Sequence, residues 1–273
     1  MLESCLDQGA GLRLQMPQLA PRLAALVGHG DTDTEMPLLW QLCEALQVLG
    51  YRVAVLDAAG AETFDMPGLH GLLDGSLAAD DCYDPLTAAS AHDLAILPAR
   101  KGLAGLTDRR GLPRADAACR LGRALRAYDI SILFGSAELL AGWSQHCAIT
   151  PVLAAAPQKS SVLAAWKSLR SLIDAGVVPT IASVVTRPGM ATAGSAQAAR
   201  DNLARCAESW LGFQVDVLRV RAAPDGAPAS AEIHRLALRL IEGAATLATV
   251  ATPLAPAPDA AAFARYDRSV RSH

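Results

Sequence analysis

The stretch "GHGDTDTEMPLLWQLCEALQVLGYRVAVLD", residues 28–57, decides the fold. It follows a short apolar run, residues 22–28, of the kind that forms a buried strand. Gly50 stands where the C-cap of a helix favours glycine, and a second apolar run covers residues 52–58. The helix between the two runs is indicated by leucines at helical spacing: Leu38, Leu39, Leu42, Leu46 and Leu49. This strand–loop–helix–strand unit predicts a parallel sheet.

The same alternation of apolar runs and helical patterns continues along the chain. Because the runs are apolar on both faces, we expect a sheet covered on both sides. The prediction is an α/β fold: a doubly wound, mostly parallel sheet of seven or eight strands with helices on both faces. Residues 21–250 form its single domain. Residues 1–20 are expected to be a poorly ordered leader, and residues 251–273 a linker and tail.

Composition excludes several classes of function. The net charge of −3 gives no electrostatic footprint for nucleic acid or an anionic membrane. The six cysteines are scattered without a C-x-x-C pair, which disfavours both a zinc site and a disulfide framework. The N-terminal sequence lacks the pattern of a signal peptide, and no apolar stretch is long enough to span a bilayer. We therefore expect a cytoplasmic protein.

A metal site is one interpretation of the stretch after the first strand. His29 and Asp31 stand two residues apart, as in the G-H-x-D segment of zinc-dependent amino-hydrolases. Those enzymes need further ligands downstream, including an adjacent Glu–Glu pair. This chain has no such pair. The sequence therefore predicts no metal ligand here.

A second interpretation rests on a family resemblance that covers residues 22–220. "LLWQLCEALQVLG" and "YRVAVLD" resemble, without a gap, the helix and second strand of the MinD/ParA family of P-loop ATPases. "LAILPA", "YDISILFGSAELL", "TPVLAAAPQKSSVLAAWKSLRSL" and "SVVTR" resemble later segments of that family in the same order. The resemblance implies the fold predicted above. It also lays "GHGDTDTEMP", which includes Gly28 and Gly30, over the phosphate-binding loop.

In this register the loop has lost its nucleotide chemistry. The loop lysine, which contacts the β- and γ-phosphates, is replaced by Glu35, and the second lysine by Gly30. The two threonines, one of which binds Mg²⁺ through its hydroxyl, are replaced by Met36 and Pro37. Asp31 stands where the family has a glycine. The resemblance therefore implies a degenerate P-loop.

Positions outside the loop have changed as well. The switch aspartate that organises Mg²⁺ in the family falls on Phe134, and the asparagine that contacts adenine falls on Thr186. Of the D-x-D after the second strand, Asp57 remains but its partner is Ala59. We therefore expect no nucleotide-binding residue and no cofactor.

The acids of the loop suit the start of a helix instead. Asp31, Asp33 and Glu35 would complement the helix dipole, whereas they would repel a triphosphate. Asp33 or Thr34 is predicted to be the N-cap, with Pro37 in the first turn. The loop is thus expected to supply its own anion.

No other set of residues points to catalysis. Cys43 and Cys119 stand in helical apolar patterns and are expected in the core. Ser136 follows a strand, but the G-x-S-x-G elbow of hydrolases is absent. Asp57 and Asp129, at strand ends, are expected either to cap backbone groups or to be solvated.

The resemblance and the lost chemistry together predict a pseudo-ATPase that binds proteins. The expected function is that of an adaptor or regulator in a bacterial envelope machine, with cellulose or exopolysaccharide secretion favoured. It would be recruited peripherally to the inner membrane and would self-associate, if at all, without nucleotide. Candidate contact residues are Asp31, Asp33 and Glu35 in the loop and Phe263, Tyr266 and Val270 in the tail. These three would lie on one side if the tail forms a helix, and the alternative is a frayed polar tail. The alternative is an atypical positioning regulator, for flagella or the septum, that still binds ATP.

Overall fold

A computed structural model of the chain describes residues 20–77, 94–186, 193–222 and 229–248. Its strands are β1 (Arg22–Val27), β2 (Val53–Asp57), β3 (Leu94–Pro98), β4 (Ile130–Gly135), β5 (Val152–Ala155), β6 (Thr180–Val185), β7 (Val217–Arg221) and β8 (Ala245–Thr246). Its α-helices are α1 (Thr32–Val48), α2 (Gly68–Asp74), α3 (Arg100–Leu106), α4 (Ala117–Ala124), α5 (Ala137–Cys147), α6 (Lys159–Asp174), α7 (Ala193–Cys206) and α8 (Ala231–Glu242). A π-helical turn, Ala207–Leu211, extends α7.

The strands form one sheet in the order β3-β2-β4-β1-β5-β6-β7. All of these neighbours pair in parallel, and β8 pairs antiparallel with the first residues of β1. The predicted fold class, a mostly parallel sheet of seven or eight strands, is confirmed.

Side chains that alternate along each strand fill two separate apolar layers. On one side of the sheet, Leu38, Leu42 and Leu46 of α1 pack with residues of α8. On the other side, helices α2 to α7 cover a layer that contains the fully buried Trp143. Because aromatic residues are few, both layers consist mainly of Leu, Ala and Val. Helices on both faces agree with the strands being apolar on both sides.

The chain reverses its direction across the sheet at β1 and β4. From β1 the chain runs to β2 and β3 on one side, whereas from β4 it crosses to β5 on the other. Connections that diverge in this way leave a crevice at the carboxyl ends of the two strands, where α/β proteins bind ligands. Residues 28–31 lie there, and the Gly28 N–H donates to the Gly135 carbonyl at 2.8 Å.

Some local predictions differ from the structure or fall outside it. Helices α2, α3 and α5 are not indicated by the sequence pattern. Helical spacing of apolar residues predicts a last helix over residues 230–247, but this helix, α8, ends at Glu242, before β8. Most of the leader and the tail, including Phe263, Tyr266 and Val270, lie outside the described residues. Among the described helices, none combines the length and apolarity needed to cross a membrane.

Candidate functional site

The loop between β1 and α1 is a tight turn that packs against β4. Gly30 has a φ of +93°, a conformation that favours glycine. A Cβ atom at Gly28 would lie 3.0 Å from Cε2 and Cζ of Phe134 and 3.5 Å from Oε2 of Glu35. Phe134 therefore stands beside the start of the loop, at the position where the family resemblance placed the switch aspartate. Only a residue without a side chain fits between Phe134 and Glu35.

The carboxylate of Glu35 points into the loop and binds its backbone. Oε1 accepts the N–H of His29 at 2.7 Å and the N–H of Asp31 at 3.3 Å. The side chain is 2% exposed. Backbone N–H groups at the N-terminus of a helix, where the helix dipole is positive, form the usual site for an anion. Here the anion is a side chain of the same helix.

His29 connects this carboxylate to the neighbouring strand. Its Nε2 lies 2.8 Å from the carbonyl oxygen of Ala154 in β5, and its Nδ1 lies 3.2 Å from Oε1 of Glu35. The imidazole is 3% exposed. Glu35 therefore has a buried polar neighbour in addition to two backbone donors, and the loop is fixed to both β4 and β5.

The start of α1 corrects the predicted capping. The N-cap is Asp31, without a capping bond from its side chain, and neither Asp33 nor Thr34 has this role. The carbonyl of Asp31 accepts the N–H groups of Thr34 and Glu35 at 3.0 and 2.9 Å, which begins the helix earlier than expected. Pro37 is thus the sixth helical residue, inside the helix and beyond the first turn. Its missing N–H leaves the Asp33 carbonyl without the usual helical donor.

The sequence predicted that the three acids of the loop are exposed contact residues. In the structure they do not form one exposed surface. Asp33 is exposed and Asp31 is partly exposed, but Glu35 is buried. Glu35 is therefore wrong as a surface contact, because its carboxylate is needed by the N–H groups inside the loop. The expectation that the loop supplies its own anion agrees with this geometry.

A second carboxylate accepts backbone N–H groups at the start of α3, at the same carboxyl edge of the sheet. Glu62, in the loop after β2, accepts the N–H of Lys101 and the N–H of Gly102, each at 2.7 Å, at the start of α3. Asp57 has the capping role expected of it, because its Oδ1 accepts the N–H of Ala59 at 2.9 Å. Sequence reasoning missed Glu62, since nothing local connects it to a helix about forty residues later.

Asp129, at the start of β4, also caps backbone, as expected. Its Oδ2 accepts the N–H of Arg52 at 2.8 Å, and its two oxygens receive the guanidinium at 3.2 and 3.0 Å. Thr186, which the resemblance aligns with the asparagine that contacts adenine, follows β6 directly and is partly exposed. In the part of the chain that the structure describes, no group of three His, Cys, Asp or Glu side chains could hold a metal ion.

The candidate nucleophiles have structural roles. Burial raises the pKa of the Cys43 thiol to about 12, so this group is uncharged at neutral pH. Cys119 is only partly buried, on α4, and is therefore less enclosed than its pattern predicted. Ser136 is the N-cap of α5, where its hydroxyl accepts the N–H of Leu139 at 3.4 Å.

Comparison with known proteins shows a likeness in structure. No protein-family model and no curated protein matches the sequence. Cobyrinic acid a,c-diamide synthase from Mycobacterium smegmatis, solved with bound ADP and magnesium, is 17% identical with a TM-score of 0.51, covering 85% of this chain and 100% of that chain. The chain shares its fold. At this identity the likeness shows the fold alone.

Two further solved structures match at lower TM-scores. A ParA family ATPase from Chlorobium tepidum TLS is 14% identical with a TM-score of 0.48, covering 80% of this chain and 98% of that chain. MinD in the MinC:MinD cell division complex of Aquifex aeolicus is 13% identical with a TM-score of 0.47, covering 85% and 98%. The structural neighbours thus include members of the family that the sequence segments resemble.

Proposed function

We propose that the chain is a MinD/ParA-like pseudo-ATPase that acts as a protein adaptor. The observation that carries this proposal is the buried carboxylate of Glu35 on the N–H groups of His29 and Asp31. In P-loop proteins such N–H groups hold the phosphates. In this chain an internal anion holds them instead.

Electrostatics supports the same conclusion. A phosphate entering the loop would have to displace Glu35 and would then lie near Asp31 and Asp33. Each like-charge contact at about 4 Å costs on the order of 1–4 kcal/mol, depending on the local dielectric. The groups that would offset this cost are absent from the aligned positions, since Glu35 replaces the lysine and Met36 the Mg²⁺-binding hydroxyl that follows it. The diamide synthase was solved with ADP and magnesium, so the fold itself is compatible with nucleotide, and the difference lies in these side chains.

The competing function is an atypical regulator that retains ATP binding. It requires Glu35 to leave the loop, which would break its two backbone hydrogen bonds and its contact with His29. Nucleotide binding would then be coupled to a movement of this one side chain.

Calorimetric titration with Mg-ATP and Mg-GTP distinguishes the two functions. We expect no heat of binding and no change in melting temperature for the wild-type protein. Glu35→Ala removes the carboxylate that accepts the N–H groups of the loop. Glu44→Ala, on the outer side of the same helix, removes one acid without touching the loop and is the matched control. Micromolar binding of Mg-ATP by the wild type, with release of phosphate above background, would refute the pseudo-ATPase.

The cellular role that we propose is assembly or positioning of a bacterial envelope machine, in particular one that secretes cellulose or another exopolysaccharide. Support comes from the resemblance of the sequence segments to a family whose members recruit proteins to membranes and secretion machines. The chain would act in the cytoplasm, bound through protein partners at the inner membrane. Deletion of the gene should reduce the secreted polysaccharide and leave the septum and flagella in place. Misplaced septa or flagella with normal secretion would favour the positioning role.

A further inference from the structure

One surface of the protein has a charge opposite to that of the whole. Residues 100–126 contain eight basic and two acidic side chains, a net charge of +6, whereas all other residues together carry −9. We call the eight basic side chains the arginine strip: Arg100, Lys101, Arg109, Arg110, Arg114, Arg120, Arg123 and Arg126. Summing charge over the chain conceals this asymmetry, because the two parts nearly cancel.

The strip is exposed, and a net positive charge remains after the described acids beside it are counted: Asp74 interacts electrostatically with Lys101, and Glu62 accepts the N–H groups of Lys101 and Gly102. Seven of the eight side chains are exposed, and Arg120 is partly exposed. Arg100 and Arg114 donate hydrogen bonds to the carbonyls of Ala59 and Thr107. Among the described residues, none of the eight forms an ion pair with a carboxylate. Their charges are therefore available to a ligand.

The backbone presents these charges in a fixed arrangement. Arg120 and Arg123 are neighbours at i,i+3 on α4, and Arg126 follows in the turn after the helix. In the loop before α4, the carboxylate of Asp108 accepts the N–H groups of Arg110 and Leu112 at 2.8 and 3.0 Å. Asp108 therefore shapes the loop, and among the described residues it forms no ion pair with an arginine.

The strip extends along the strand direction, from the carboxyl ends of the strands to their amino ends. Helix α3 begins directly after the carboxyl end of β3, and α4 ends shortly before β4 begins at the opposite edge. A strand of six residues, the length of β4, spans about 20 Å. An extended peptide of about six residues covers the same distance.

We propose that the arginine strip binds a short acidic segment of a partner protein. Guanidinium groups match carboxylates in forked pairs, and seven of the eight basic residues are arginines. A segment of about six residues with several Asp or Glu side chains would meet only the strip. A long duplex or an anionic membrane would extend beyond it and face the remaining charge of −9.

The side chains within the strip also favour a peptide. No aromatic residue is exposed there to stack on a base. The exposed apolar side chain of the loop, Leu112, rests beside Gly142 of α5 and is only 47% exposed, so it does not project as an anchor for lipid. One apolar contact among arginines is typical of a protein interface.

The test is fluorescence anisotropy with a labelled peptide of about eight glutamates at low salt. Arg120→Gln/Arg123→Gln/Arg126→Gln should weaken binding about tenfold, since each exposed ion pair contributes a factor of about two. The control, Arg170→Gln/Arg205→Gln/Arg235→Gln, removes the same charge from exposed positions outside the strip and should change binding less than about twofold. Circular dichroism of both variants verifies that they are folded.

Three results would overturn the proposal. The first is no binding of the peptide by the wild type. The second is an equal loss of affinity in both variants, which would show attraction to overall charge. The third is tighter binding of a duplex DNA or of anionic vesicles than of the peptide at the same salt. None of these results bears on the nucleotide site, so a failure here leaves the pseudo-ATPase proposal unaffected.

Discussion

Replacing Glu35 by alanine is the most direct test of the internal anion. The change leaves the N–H groups of His29 and Asp31, and one ring nitrogen of His29, without the oxygen they face. A buried donor without a partner costs about 1–3 kcal/mol, and water entering the vacated space would offset part of this cost. We therefore expect Glu35→Ala to lower the free energy of unfolding by about 3 kcal/mol.

This loss corresponds to a measurable shift in melting temperature. The unfolding entropy of a protein is about 2.1 cal/mol/K per residue, so a chain of 273 residues should lose about 5 °C. Differential scanning calorimetry measures the shift. Glu35→Gln keeps the shape and one acceptor oxygen, and should lose about half as much. Glu44→Ala, at a partly exposed position of α1, should stay within about 0.5 kcal/mol of the wild type.

The reasoning is refuted if Glu35→Ala melts at the temperature of the wild type. In that case the carboxylate would be dispensable to the loop, and its N–H groups would be satisfied in another way. A loss as large in Glu44→Ala would also refute it, because the effect would then belong to the helix as a whole.

Four further results are expected. Gly68→Ala should lower the free energy of unfolding, measured by chemical denaturation, by more than about 2 kcal/mol, because φ is +54° and the new Cβ would collide with the Pro98 carbonyl. Gly75→Ala is the control, since its φ is +79° but the space around it is open, and it should cost about 1 kcal/mol. Equal losses in the two variants would contradict the role of the collision. Cys43 should resist thiol reagents at pH 8 in peptide mapping, since at a pKa of about 12 only about one thiol in ten thousand is ionised; rapid labelling in the native state would contradict its burial. Glu35→Lys should release no phosphate from ATP above background, because one lysine does not restore the Mg²⁺ ligands; turnover would contradict this. Sedimentation velocity should be the same with and without Mg-ATP, and a shift would show nucleotide-dependent association.

The sheet could be predicted because most of its strands, β1 to β6, are largely apolar runs of four to six residues between helical patterns. The helix α1 was visible because Leu38, Leu42 and Leu46 repeat at its period. Helices α2 and α3 could not be predicted in the same way. Each has seven residues and contains two glycines, so neither propensity nor periodicity indicates a helix. They form because tertiary packing buries Leu69 and Leu103.

The candidate site was predictable in composition but not in geometry. The register of the resemblance placed Glu35 at the lysine position, and its negative charge indicated an abandoned phosphate site. The loop around this side chain is held by contacts of Gly28 with Phe134 and of His29 with Ala154, and these partners belong to strands distant in sequence. The same holds for Glu62, whose partner N–H groups lie 39 and 40 residues later.

The two internal carboxylates bear on how this protein could be regulated under the pseudo-ATPase proposal. A ligand shifts a conformational equilibrium only through its different affinity for the two states. At the carboxyl edge of the sheet, Glu35 and Glu62 already occupy the starts of α1 and α3. On the pseudo-ATPase proposal, a phosphate would have to displace Glu35 to reach the N–H groups of His29 and Asp31, so Mg-ATP would not favour one state. A switch between conformations would then draw its energy from a contact elsewhere on the surface. The arginine strip is such a surface, since among the described residues none of its side chains forms an ion pair.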